Sequence, residues 1–162
     1  GGRRGARNVW GSAGTGAIIA ILIGAGIGSN ELLLVGFAAS FAAKLADTFG
    51  SELGKIWGSK TILITTFKPV AAGTEGAISL EGTIASLLGS ALMALVMFAL
   101  SLINSWQIVL VVIAAGLMAT LLESVIGALF QNRFDFLSNE LINFIQTTFA
   151  SISAILLVNA FF

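Results

Sequence analysis

Eight acidic and eight basic side chains are spread over 162 residues, and three of the acids stand inside otherwise apolar sequence. Asp47 and Glu52 lie in AAKLADTFGSELG, and Glu123 lies in LLESVIGALFQ. Carboxylates are hard oxygen donors. With no His and no Cys in the chain, the cation they match is Mg²⁺ or Mn²⁺. Mg²⁺ is commonly held by one or two carboxylates together with substrate phosphates, which makes Asp47, Glu52 and Glu123 candidate metal ligands. The absence of His and Cys also removes zinc sites, thiol nucleophiles, disulfides and imidazole acid–base chemistry from this chain.

Groups suited to phosphate stand near these acids. Lys44, Asp47 or Thr48, and Ser51 are spaced to share one face of a helix. A structural ion pair that eases insertion is the competing reading of Lys44 with Asp47. Arg3, Arg4, Arg7, Lys55, Lys60 and Lys68 could clamp phosphates, although arginines beside a span also act as topology and headgroup signals. The segment KPVAAGTEGAIS, residues 68–79, opens a helix. Within it Gly73 and Gly76 permit close backbone approach, Thr74 and Ser79 supply hydroxyls, and the helix N-terminus favours anions. It is not a Walker A loop, because G-x-x-x-x-G-K-[ST] occurs nowhere in the chain. A formal net charge of zero excludes a polycationic nucleic-acid binder.

The elements that position these groups are membrane spans. The chain is 57% hydrophobic and 10% charged, with a mean hydropathy of +1.00, and a span needs about 20 mostly apolar residues. Five stretches qualify: Val9 to Ser29, Leu32 to about Gly54, about Ser79 to Ile103, Gln107 to Gln131, and Leu141 to Phe162. None alternates apolar and polar residues as a barrel strand does. The predicted fold class is all-α, a polytopic membrane helical bundle forming one membrane domain over 1–162. Gly82, Ser86, Ser90 and Ala94, like Ala39, Ala43, Gly50 and Gly54, make small-residue stripes that read as helix packing. The Gly1-Gly2 start before an Arg-rich segment leads to the expectation that spans are missing upstream.

The links between spans differ in charge. Asn30-Glu31 and Asn104-Ser105-Trp106 carry no Lys or Arg, whereas seven of the eight basic residues fall on the other side. The positive-inside rule puts the N-terminus and the 55–78 loop in the cytoplasm or stroma. Asp47 lies fifteen residues past Leu32, and Glu123 fifteen past Ile108, at the outer ends of their spans. At about 1.5 Å per residue, both reach roughly 22 Å into a slab about 30 Å thick. Thr74, Glu75, Ser79 and Glu81 gather on that side, as do Asn139, Glu140 and Asn143, and Arg7 and Asn8. The outer halves of the spans hold no charge. A polar pocket open to the cytoplasm alone suits an enzyme better than a through-going carrier, which needs polar groups at the midplane. The residues themselves therefore point to Mg²⁺-dependent phosphoryl or nucleotidyl chemistry on a lipid.

Five strings then follow one another in order: RGARNVWGSAGTGA (4–17), ADTFGSELG (46–54), ITTFKPVAAGTEGAISLEGTIASLLG (64–89), ESVIGALFQ (123–131) and SNELINF (138–144). They resemble the integral-membrane family of prenyl-phosphate kinases that includes the phytyl-phosphate kinases of plants and cyanobacteria and the transmembrane protein 19-like proteins. The resemblance covers nearly the whole chain, and full-length relatives have additional N-terminal spans. It implies transfer of a phosphoryl group from CTP, or another nucleoside triphosphate, to an isoprenoid monophosphate such as phytyl phosphate. By the same resemblance Asp47, Ser51 and Glu52 match the family's Asp-Thr-x-x-Ser-Glu motif, and Lys68, Gly73, Thr74, Gly76 and Ser79 match its loop. Asn139 and Asn143 match its asparagine motif. Glu123 stands where the family pattern has Asp, and Glu75 where it has Asn or Ser.

The expected site is therefore Asp47, Lys68 and Glu123 as catalytic groups, with Mg²⁺ held by Asp47, Glu52 and Glu123. Arg4, Arg7, Asn8, Lys44, Ser51, Gly73, Thr74, Gly76, Ser79, Asn139 and Asn143 are the expected contacts to nucleotide and isoprenoid phosphate, with the apolar chain between helices along the third and fourth spans. The alternatives are a nucleotidyltransferase making a CDP-activated lipid, or a carrier or channel for a small anion or isoprenoid phosphate. The expected setting is a bacterial plasma or thylakoid membrane or a chloroplast envelope.

Overall fold

The computed structural model describes residues 5–131, 134 and 136–162. The predicted spans are helices: α1 Ala6–Gly24, α2 Asn30–Trp57, α3 Leu80–Ala99, α4 Trp106–Ile126 and α5 Asn139–Phe161. All five are long and apolar enough to cross a bilayer, so the protein is a multi-pass membrane protein. α1 stops at Gly24, five residues short of the expected Ser29, because Gly26 and Gly28 take φ of +67° and +88°. That left-handed conformation is one glycine adopts without steric cost. Four of the helices start on a serine. Ser29, Ser79, Ser105 and Ser138 each accept a hydrogen bond from the backbone N–H three residues on, satisfying a donor that has no partner within the helix.

α2 is the centre of the bundle and packs against each of the other four helices. Its sequence explains why. Ala38, Ala39, Ala42, Ala43 and Ala46 are all fully buried, and without bulky side chains the neighbouring backbones come close. The small-residue stripes meet as expected. A Cβ added to Gly50 would overlap the Ser86 hydroxyl, and one added to Gly116 would overlap that of Ser90. Polar side chains in the core bond across helices, where no water competes. Thr15 Oγ1 lies 2.9 Å from the hydroxyls of both Thr147 and Thr148. Ser151 donates to the Gly36 carbonyl at 2.7 Å, and Ser90 to that of Ile113 at 3.0 Å. Large apolar side chains such as Ile21, Leu88, Leu110, Met118 and Leu156 point outward, as they must where the surrounding medium is lipid.

Two features were not expected. The 58–79 link folds back on itself through a two-stranded antiparallel sheet, β1 Ile62–Leu63 and β2 Ala77–Ile78, with Ile62 opposite Ile78. A bridge from Ile62 to Pro69 tightens it further. The all-α bundle thus carries a small β clasp at one end. At that same end α4 widens into a π turn, Gly127–Gln131, a distortion frequent at functional sites.

Candidate functional site

A polar cavity of about 520 Å³ opens at the end of the bundle where the β clasp lies. It is built by five elements, α3 among them through Gly82, Thr83 and Ser86. The last turns of α2 supply Lys44, Asp47, Ser51 and Glu52, and the last turns of α4 supply Thr120, Glu123 and Ser124. Asn139 and Asn143 come from the start of α5, and the 72–79 segment closes over the top. Asp47 and Glu123, expected at one level of the bundle, both line this one cavity.

At its centre is a partly buried cluster. Lys44 Nζ donates to Asp47 Oδ2 at 2.6 Å and to Asn143 Oδ1 at 2.7 Å. The lysine and aspartate side chains are 21% and 18% exposed, enough to meet a ligand from the cavity. One of the three ammonium donors of Lys44 remains beyond these two bonds. Deeper, Gln146 is fully buried. Its amide nitrogen donates to the Ala43 carbonyl at 3.3 Å and to Thr120 Oγ1 at 3.2 Å, so α2, α4 and α5 are bonded together beneath the cavity.

The loop geometry follows from its glycines. Gly73 and Gly76 have φ of +88° and +75°, and a Cβ at Gly76 would overlap that of Ala128 and stand 2.5 Å from the Ser124 carbonyl. The loop backbone therefore rests directly on the end of α4, bringing Thr74 and Glu75 into the wall that holds Glu123. Thr74 Oγ1 donates back to the Ala71 carbonyl at 2.7 Å, and Ser79 caps α3. The N-terminal turns of α3 and α5 both border the cavity, and their partial positive charge favours an anion there.

Several expected contacts are placed elsewhere. Lys68 is exposed and does not line the cavity; the bridge from Pro69 to Ile62 and the bond from the Leu63 N–H to the Lys68 carbonyl at 2.9 Å tie its backbone into the clasp. Arg7 lines a separate groove between α1 and α5, and Asn8 does not reach the cavity either. Both are on α1, which packs on the opposite flank of α5. Arg4 lies outside the described residues. Asp47, Glu52 and Glu123 share the cavity, but among the described residues no three acids come close enough together to hold a metal by themselves. Glu52 is exposed at the rim, 3.8 Å from Lys55. Thr61, Thr83 and Thr120 line the cavity without having been singled out. Lone threonines, whether in the link like Thr61 or inside spans like Thr83 and Thr120, carry no sequence signal that marks them as cavity wall.

The comparisons agree with this architecture. Over 155 residues the chain is 46% identical to an uncharacterized membrane protein of Synechocystis sp., covering 95% of this chain and 60% of that protein. It is 44% identical over 162 residues to Protein VTE6, chloroplastic, of Arabidopsis thaliana, covering 96% of this chain and 48% of the relative. An uncharacterized membrane protein of Methanocaldococcus jannaschii is 42% identical over 124 residues, covering 76% of this chain and 51% of the relative. The chain thus spans about half to three fifths of the length of these relatives. No solved structure matches it. Residues 1–151 match the family described as integral membrane protein DUF92, and the chain belongs to that family.

Proposed function

We propose that this chain carries the active site of a membrane kinase that moves a phosphoryl group from CTP, or another nucleoside triphosphate, to an isoprenoid monophosphate such as phytyl phosphate. The observation that supports it most is the composition of the one-sided cavity. Carboxylates Asp47, Glu75 and Glu123, the Lys44 ammonium, several hydroxyls and two helix N-termini face a common space, while alanines close the bundle beneath. The 44% identity to a chloroplastic relative is consistent with an isoprenoid substrate in a plastid-type membrane.

The donor set fits Mg²⁺, with Mn²⁺ as the nearest substitute, because it offers oxygen alone. Asp47 and Glu123 would hold the ion, with Glu52 at the rim, and substrate phosphates would complete the shell, as is usual where the protein gives one or two carboxylates. When bound, Mg²⁺ would neutralise charge on the triphosphate. Lys44 and Lys55 take the role expected of Lys68, since both reach the cavity. The backbone at Gly73 and Gly76 lets phosphate oxygens approach closely.

The chemistry needs no strong base. A phosphate monoester with a second pKa of about 6 is largely ionised near neutrality, which suits a site without His. Its oxygen forms the new bond to the γ-phosphorus as the bond to the β–γ bridging oxygen breaks, and CDP leaves. Catalysis is then positioning and charge neutralisation. The cytoplasmic or stromal placement of the cavity rests on the distribution of basic residues. The test is turnover with phytyl monophosphate and γ-labelled CTP. Label entering a lipid diphosphate supports the kinase, whereas release of labelled pyrophosphate would replace it with a nucleotidyltransferase. Counterflow of isoprenoid phosphate across vesicles without turnover would favour a carrier.

A further inference from the structure

A second recess, of about 330 Å³, runs along the outside of the bundle between α1 and α5, and it differs in kind from the polar cavity. Its floor exists because Gly11 and Gly14 bring the two helices together. A Cβ at position 11 would stand 2.5 Å from the Glu140 carbonyl oxygen, and one at position 14 would stand 3.2 Å from the Phe144 ring. Trp10 and Ile18 form the outer wall, 66% and 49% exposed, so the slot lies on the outer surface of these five helices. From Trp10 to Ile18 it extends about 12 Å along α1 at 1.5 Å per residue.

Two charges stand at its upper end, Arg7 and Glu140, on the side of the membrane where the polar cavity opens. The first turns of α5 divide the two recesses. Asn139 and Asn143 line the cavity, while Glu140 and Phe144, each the next residue along, line the groove. An amphiphile can therefore lay an apolar tail in the groove and pass its head over the start of α5. Glu140 on the groove side repels a phosphate, the asparagines and Lys44 beyond it attract one, and Arg7 supplies a cation at the crossing point.

We propose that the α1–α5 groove holds the isoprenoid chain of the phosphate acceptor. This rests on the kinase reading and assigns the chain to α1 and α5 rather than to the third and fourth spans, where it was expected. Arg7, absent from the polar cavity, then has a role at the groove mouth.

The test is photo-labelling of the full chain in phosphatidylcholine nanodiscs with an isoprenoid monophosphate carrying a diazirine in its tail, followed by peptide mapping. Adducts are expected between residues 10 and 18 and at Phe144, and excess unlabelled isoprenoid monophosphate should suppress them while equal phosphatidylglycerol should not. Equal suppression by phosphatidylglycerol would mean that the groove holds ordinary bilayer lipid, and adducts confined to α3 and α4 would move the chain there. Unlabelled α1 and α5 at saturating probe would mean that the groove is covered by protein. Each of these overturns the proposal. A second readout is Ile18→Trp, an exposed substitution that shortens the groove. The ratio of KM for a twenty-carbon acceptor to that for a five-carbon one should rise about tenfold, about 1.4 kcal/mol, and an unchanged ratio would count against the groove. Labelling needs no turnover, so a labelled groove in a protein without kinase activity would sink the kinase reading and leave the groove standing. Turnover with adducts elsewhere would do the reverse.

Discussion

Lys44 and Asn143, 99 residues apart in the chain, meet at 2.7 Å inside the bundle. The same ammonium holds Asp47 at 2.6 Å, so the asparagine motif of α5 and the acidic motif of α2 act on one cation. Before any ligand arrives, Lys44 offsets the carboxylate charge. In the proposed reaction a Mg²⁺-bound triphosphate would bring its own cation to Asp47 and would give Lys44 a phosphate to bond instead.

That arrangement ranks three substitutions by stability. Lys44→Ala leaves Asp47 unpaired at low exposure and should cost about 3–5 kcal/mol. Asn143→Ala removes one charge-assisted hydrogen bond and should cost less, about 1.5–3 kcal/mol. Lys44→Met combined with Asp47→Leu removes both charges and should recover most of the loss. Thermal unfolding in detergent measures all three, and a double variant no more stable than Lys44→Ala would contradict the pairing.

The two loop glycines should respond differently to alanine. Gly73 has open space around it, so Gly73→Ala meets only the left-handed backbone cost of about 1–2 kcal/mol. Gly76→Ala adds a collision with Ala128 and the end of α4. It must lift the loop from Glu123, with a loss of turnover at least tenfold greater, equivalent to about 1.4 kcal/mol. Equal effects would mean that the loop does not complete the site.

Packing between α2 and α3 has a similar internal control. Gly50→Ala places a methyl on the Ser86 hydroxyl and should destabilise by about 1–3 kcal/mol. Ser86→Ala in the same chain should relieve most of that. Additive losses in the double variant would show that the two helices do not meet at this point.

The absence of cysteine makes sidedness directly measurable. A single cysteine at Ala71 should react with an impermeant maleimide only from the cytoplasmic or stromal face. One at Asn104, between α3 and α4, should react only from the other. The opposite pattern would reverse the orientation and place the cavity outside.

Much of the bundle was legible because each feature depends on local sequence. Span length and apolar composition gave five helices, and small residues such as Gly50 and Ser86 marked their contacts. The level of Asp47 and Glu123 followed from counting residues along rigid helices. What failed depends on rotation and on loop path. A count of residues puts Arg7 at the same end of the bundle as Asn139 but does not tell that its side chain lines a groove between α1 and α5 instead of the cavity. Lys68 belongs to the loop motif by spacing, yet its backbone is tied into the clasp and it does not line the cavity. The π turn after Glu123 and the pairing of Ile62 with Ile78 involve only a few residues each, too few to show a period.

The central claim is tested most directly by the wild-type protein and Asp47→Asn side by side in detergent with phytyl monophosphate, Mg²⁺ and γ-labelled CTP. The account predicts label in a lipid diphosphate for the wild type. For Asp47→Asn, a near-isosteric change that keeps an oxygen for Lys44, it predicts loss of turnover with unchanged helical circular dichroism. Near-full transfer by the folded Asp47→Asn protein would contradict it.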